Sequence, residues 1–252
     1  MTLRPALFLL VASLLAGCVT TGKVDPMRTE AGRDGARDAY IQLGIGYMQQ
    51  GFSERAKIPL KKALELDPSN ADAHAALALV FQMEMESKLA DEHYLKALAQ
   101  RGSDARLLNN YGSFLFEQKR YTEAFEYFQK ASKDTLYPER SRVFENLGMT
   151  SLALKQRQQA KGYFERALRL NSRRPTALLE MGLLSYEDKE YIPARRYYES
   201  FSELSEQNAR SLLLGARLAK IFEDRDKAAS IGLQLKRFYP GTPEYQQYLS
   251  EQ

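Results

Sequence analysis

Small residues return along this chain at a fixed interval, and no other feature restricts its fold so severely. Gly44 is followed 34 residues later by Ala78 and then by Gly112, Ala56 by Ala90 and Ala124, and Ala63 by Ala97 and Ala131. The next steps are two residues longer and reach Gly148, Ala160 and Ala167. The shorter step then resumes at Gly182 and Ala194, and runs on to Ala216 and Ala228. Large residues keep the same time at Leu60, Tyr94, Phe128, Phe164 and Tyr198. Two helices approach most closely where small residues face each other, and large side chains fill the space between successive units. No single unit of this length buries its own apolar face, so the stable object is a stack. The period predicts six repeats starting near 37, 71, 105, 141, 175 and 209, with a polar capping helix over 243–252. The two extra residues fall in "KDTLYPERSR", where Pro138 suits a longer connection.

The pattern in "YIQLGIGYMQQGFSERAKIPLKKALELDP", residues 40–68, resembles the tetratricopeptide repeat through Leu43-Gly44, Tyr47, Ala56, Leu60, Ala63 and Pro68. That resemblance implies an all-α fold, a right-handed superhelical solenoid of helix–turn–helix units. Some positions break the rule. Phe201 stands where a small residue is expected, Gly232 where a large one is, and Leu235 where alanine is. Pro59 falls inside a second helix and predicts a bend or a shifted helix start there, whereas Pro193 falls in a first turn.

The amino terminus carries a second signal. Arg4 precedes an apolar stretch, Leu7 to Leu15, that is too short to cross a bilayer at about 20 residues per span. The chain's single cysteine ends the segment Leu15-Ala16-Gly17-Cys18. One thiol makes neither an intramolecular disulfide nor a cysteine metal site. The segment resembles the lipobox of bacterial lipoproteins, which implies cleavage of residues 1–17 and a covalent lipid on Cys18, with no other cofactor. Val19 follows, rather than the aspartate resembling an inner-membrane retention signal, so the resemblance implies lipoprotein sorting to the periplasmic face of the outer membrane. Residues 18–36 read as a lipidated end and flexible tether, polar and without apolar period.

Composition excludes several classes of function. Loss of Arg4 on cleavage would leave 35 basic against 32 acidic side chains, a slight excess spread along the chain. "KK" at 61–62 and "RR" at 173–174 and 195–196 read as solvated helix faces rather than a nucleic-acid track. His74 and His93, 19 residues apart, have no carboxylate or cysteine at ligand spacing, and His74 occupies a packing position. "GIG" at 44–46 lacks the third glycine and preceding strand of a nucleotide loop. Ser151 and Ser185 replace inward aromatics, with no histidine and acid in pattern. Acid pairs such as Asp91-Glu92 and Glu187-Asp188 read as helix ends or exposed faces. The sequence therefore predicts no enzyme, no metal, no small-molecule substrate and no nucleic-acid partner.

Function is then expected on a surface. In the first repeat Tyr40, Leu43, Gly44 and Tyr47 form a packing stripe, and Ile41, Ile45 and Met48 a second stripe about 115° away at 3.6 residues per turn. Equivalent sites downstream are Leu79 and Met83, Phe116, Met149 and Leu152, then Leu179, Leu183 and Tyr186. Arg210, Arg217 and Lys220 share those sites with Leu213 and Ile221 in the last repeat. The second stripe reads as a partner-binding groove, apolar near the amino terminus and more basic at the far end. The alternative is that the tether or a tight superhelix covers it.

A lipobox followed by six such repeats resembles the pilotin lipoproteins of type IV pilus biogenesis, of the PilF/PilW type. "NNYGSFLFEQKRYTEAF" at 109–125 and "TLYPERSRVFENLG" at 135–148 carry that resemblance, the second spanning the insertion. It implies a protein that travels the lipoprotein sorting pathway, binds the pilus secretin subunit, and promotes its outer-membrane insertion and multimerisation for pilus assembly and twitching motility. A scaffold lipoprotein of another envelope machine, an outer-membrane assembly subunit or protease adaptor, is the rival. A monomer is expected, because six repeats bury their own faces.

Overall fold

The computed structural model describes residues 25–251, so Cys18 and the segment before it lie outside the described residues. Every regular element described is helical, and the chain is an all-α tetratricopeptide solenoid. One compact unit ends at Gln100 and a second begins at Arg101.

The first unit holds two helix pairs, α1 (Glu30–Gln49) with α2 (Ser53–Leu66) and α3 (Ala71–Met83) with α4 (Ser87–Gln100). Helix α1 begins earlier than the sequence pattern predicts, so residues 30–36 are helix rather than tether. Thr29 caps it by accepting from the Gly32 amide. Arg37 then pins it, pairing with Asp34 and Asp38 at 2.8 Å and with Asp67 after α2 at 3.7 Å. None of these is an apolar signal, which is why periodicity misses them. Helix α2 starts at Ser53 and runs through Pro59 without a shifted start.

The second unit holds α5 (Ala105–Glu117) with α6 (Tyr121–Ala131), α7 (Arg140–Ala153) with α8 (Arg157–Leu170), α9 (Pro175–Glu187) with α10 (Tyr191–Ser202), and α11 (Ala209–Ile221) with α12 (Arg225–Phe238). A last helix, α13 (Pro243–Ser250), follows. The turn inside each pair places one residue in left-handed backbone, at Gly51, Met85, Lys119, Lys155, Lys189 and Glu223. These positions repeat the sequence interval, including its one longer step, so the backbone and the packing share one period.

In the first, third and fourth pairs the glycine of the first helix receives the large side chain of the second, whereas Tyr198 of the fifth pair reaches Gly215 on α11. A Cβ on Gly44 would stand 2.5 Å from Leu60 Cγ, one on Gly112 2.8 Å from Phe128, and one on Gly148 2.5 Å from Phe164. The last pair inverts the arrangement. Gly232 lies on α12 where the large residue is missing, and the Tyr248 hydroxyl from α13 stands 2.0 Å from where its Cβ would be. The capping helix thus fills the hole with its own ring. Glu251 ties the cap down, accepting from Arg217 Nε at 3.0 Å, with its carboxylate held below the usual range by that hydrogen bond.

Buried carboxylates stitch successive pairs of the second unit. Glu145 on α7 accepts from Arg174 and from the Ala177 amide at 3.1 Å. Glu180 on α9 pairs with Arg210 at 2.7 Å. Each carboxylate is buried and satisfied from the next pair, as a buried charge requires.

His74 and His93 meet inside the second pair of the first unit, with Nδ1 to Nδ1 at 2.9 Å. His74 Nε2 lies 3.0 Å from the Pro68 carbonyl, which only accepts, so Nε2 carries the proton and Nδ1 accepts from His93. Burial lowers the affinity of both rings for a second proton; for His93, burial, His74 and Lys96 push the pKa from 6.5 down to about 4, with Glu92 opposing. This is a neutral structural pair.

Two outcomes follow from these contacts. Gly148→Ala should lower stability by about 1–3 kcal/mol in urea denaturation, because the added Cβ meets the Phe164 ring. The same change at Gly162, also helical but with nothing within 4 Å, should raise it by about 0.5–1 kcal/mol. For the histidines, the unfolded chain binds protons near pH 6.5 that both folded rings resist, His93 until about pH 4. The contribution of His93 is therefore complete above pH 6.5 and is lost as pH falls toward 4. His93→Gln should shrink the difference in melting temperature between about pH 7 and about pH 4.5; an unchanged difference would show that the pair does not govern acid sensitivity.

Candidate functional site

The stripe predicted to bind a partner is not uniformly open. In the first unit Ile41 is 3 % exposed, packed with Ala63 and Ala73. Ile45 and Met48 are half-buried against the cluster of Ala56, Leu60, Ala76, Leu77 and Val80. Leu79 is half-buried and Met83 exposed. Ile41 is thus interior, because the small residues Ala63 and Ala73 let α3 close over it. It offers no surface to a partner.

In the second unit Phe116, Met149, Leu152, Leu183 and Tyr186 are all half-buried. Phe116 packs on Tyr121 with ring centroids 5.2 Å apart, and Tyr186 on Tyr191 at 5.5 Å. Leu183 and Tyr186 also pack against the cluster around Leu178, Leu179 and Tyr198. Two cations of the basic far end are paired from within, Arg210 with Glu180 and Arg217 with Glu251, and Lys220 donates to the Glu251 backbone carbonyl.

The open apolar surface lies on the other stripe of the first repeat. Leu43 is 48 % exposed, and Tyr40 and Tyr47 are half-buried beside it. With Ile58, Pro59, Arg55 and Lys62 of α2 they line a pocket of about 350 Å³. Ile58 is 62 % exposed, and Phe52 is exposed nearby. The corresponding residues of the third and fourth repeats are buried, at Leu108, Tyr111 and Leu115 and at Phe144, Leu147 and Ser151, and in the second repeat His74 and Leu77 are buried with Phe81 half-buried. In the interior of a stack such positions meet the preceding pair. Among the described residues no helix pair precedes α1, so its packing stripe remains open. Lys62 stands over the Tyr40 ring at 5.6 Å and Arg55 over Phe52 at 5.1 Å, so cations rim the apolar patch.

This face can hold an apolar helix or strand from another protein through burial, with its register set by charge at the rim. Nothing in it is suited to bond-making chemistry. Among the described residues no group of three or more His, Cys, Asp or Glu side chains is placed to hold a metal. Nor is any described helix long and apolar enough to cross a membrane.

Comparison with known proteins agrees with the architecture. Tetratricopeptide-repeat family models match residues 38–70 and 103–173. Over 251 residues, covering both chains in full, the sequence is 64% identical to the type IV pilus assembly protein PilF of Pseudomonas aeruginosa. A solved structure of Pseudomonas aeruginosa PilF superposes with a TM-score of 0.86 at 66% identity, covering 88% of this chain and 100% of that one. The crystal structure of PilW, a widely conserved type IV pilus biogenesis factor, superposes with a TM-score of 0.72 at 28% identity, covering 84% of this chain and 98% of that one. On full-length identity and a shared repeat fold, the chain belongs to the PilF family of tetratricopeptide-repeat type IV pilus assembly proteins.

Proposed function

We propose that this protein is a pilotin: a lipoprotein held through Cys18 at the periplasmic face of the outer membrane, which binds the secretin subunit of the type IV pilus and promotes its localisation and multimerisation. Its family consists of scaffolds, and the chain is not an enzyme. The observation that carries the binding half of the proposal is the open, cation-rimmed apolar face of the first repeat around Leu43 and Ile58. Kinship with a pilus assembly protein supports the choice of partner. The lipobox-like segment at Leu15 to Cys18 supports the address.

Energetics suit a scaffold that must engage and release. Covering a large aliphatic side chain yields about 1.5–3 kcal/mol. Several on one face compete with an association cost of the order of 4–15 kcal/mol. A moderate affinity results, strengthened when both partners are confined to one membrane.

The test uses cells carrying Leu43→Asp with Ile58→Asp, or Cys18→Ala, and reads heat-resistant secretin multimers in separated inner and outer membranes. The face variant should stay folded and outer-membrane-located while multimers fall several-fold. Cys18→Ala should leave the secretin in the wrong membrane. Normal multimers with the face variant would remove the first repeat as the binding site. Normal secretin in both would overturn the pilotin reading itself.

A further inference from the structure

The two residues added between α6 and α7 lengthen that connection and build a turn of their own. The Asp134 carboxylate accepts from the Leu136 amide at 2.9 Å, and this turn holds Leu136 89 % exposed. Arg140 Nε donates to the Ser132 carbonyl at 3.0 Å, closing the loop at its base. Between this loop and the turn joining α8 to α9 lies a pocket of about 500 Å³. Arg140, Arg142 and Arg174 line it with Glu139; Glu145 takes up the charge of Arg174 and Glu139 pairs with Arg142, which leaves Arg140 as the excess cation.

These cations are positioned rather than trailing in solvent. Arg140 lies over the Phe144 ring at 5.3 Å, and Arg174 is fixed by the buried Glu145. Arg142 pairs with Glu139 at 3.2 Å, but both side chains are about half exposed, so a competing carboxylate exchanges with Glu139 at little cost. Leu170, 51 % exposed, lines the pocket, and the exposed Leu136 lies in the chain between the lining residues Thr135 and Tyr137.

We propose that this pocket docks an acidic peptide segment of a partner protein, one that sets carboxylates against the arginines and an apolar side chain against Leu136 and Leu170. Charge complementarity selects the carboxylates, because planar guanidiniums recognise them in a forked geometry. The volume and the two leucines select a peptide over a bare anion, which would leave both leucines uncovered. The site is separate from the open face of the first repeat and stands or falls independently of the pilotin reading.

Fluorescence anisotropy on the full chain in detergent tests it, with a labelled glutamate- and leucine-rich peptide of about ten residues and its glutamine counterpart as probes. The acidic peptide should bind saturably, weaken with added salt, and bind about ten-fold more tightly than the glutamine peptide. Arg142→Glu should weaken it by about ten-fold with an unchanged circular dichroism spectrum. Leu136→Ser, at a fully exposed position that folding does not need, should weaken it several-fold. Absence of saturable binding, equal binding of the two peptides, or full affinity in both variants would overturn the proposal. Displacement by inorganic phosphate combined with indifference to Leu136→Ser would reduce the pocket to a plain anion site and overturn it equally.

Discussion

The contact between a missing side chain on one helix and a large one on the next sets the geometry of this protein. Where Gly112 and Gly148 lie, Phe128 and Phe164 occupy the volume a Cβ would take. The two helices of such a pair therefore approach closely, whereas Gly182 of the fifth pair meets Leu214 of the next one. Repetition of that contact makes the period visible in sequence, and the left-handed turn residue of each pair follows it. The ring and the gap are mutually required: either alone leaves a clash or a void.

A stack built on such contacts has to do something different at its ends, and this chain treats them oppositely. At the carboxyl end Tyr248 supplies the ring that Gly232 lacks, and Glu251 neutralises Arg217. That end is closed. In the first repeat Tyr40, Leu43 and Tyr47, which belong to a packing stripe, face an open pocket. A scaffold needs apolar surface that its own fold does not consume, and the unpaired stripe of a first repeat provides it without any special residue.

The same constraint explains why the repeat phase is legible in the sequence while the exposure of the two stripes is not. Repeat phase came directly from Gly44, Gly112, Gly148 and their partners. Periodicity treats every repeat as having two neighbours, so it assigned Tyr40 and Leu43 to packing and Ile41 to a groove. The structure buries Ile41 under Ala63 and Ala73 and leaves Leu43 out. Contacts between residues distant in sequence are equally invisible: Glu145 finds Arg174 across 29 residues, and His74 finds His93 across 19. Nothing in their local spacing marks them as pairs. Residues 30–36 became helix through a cap and ion pairs, which carry no hydrophobic signal.

If the open stripe of the first repeat, rather than the second stripe, receives the secretin, binding must slow amide exchange on α1 and α2. Hydrogen–deuterium exchange of the full chain in detergent, with and without purified secretin subunit, tests it most directly. Slower exchange on α1 and α2 around Leu43 and Ile58, with little change on α9 around Leu183 and Tyr186, is the predicted result. Protection confined to the helices carrying Phe116, Met149, Leu183 and Tyr186, with α1 and α2 unchanged, would contradict the account.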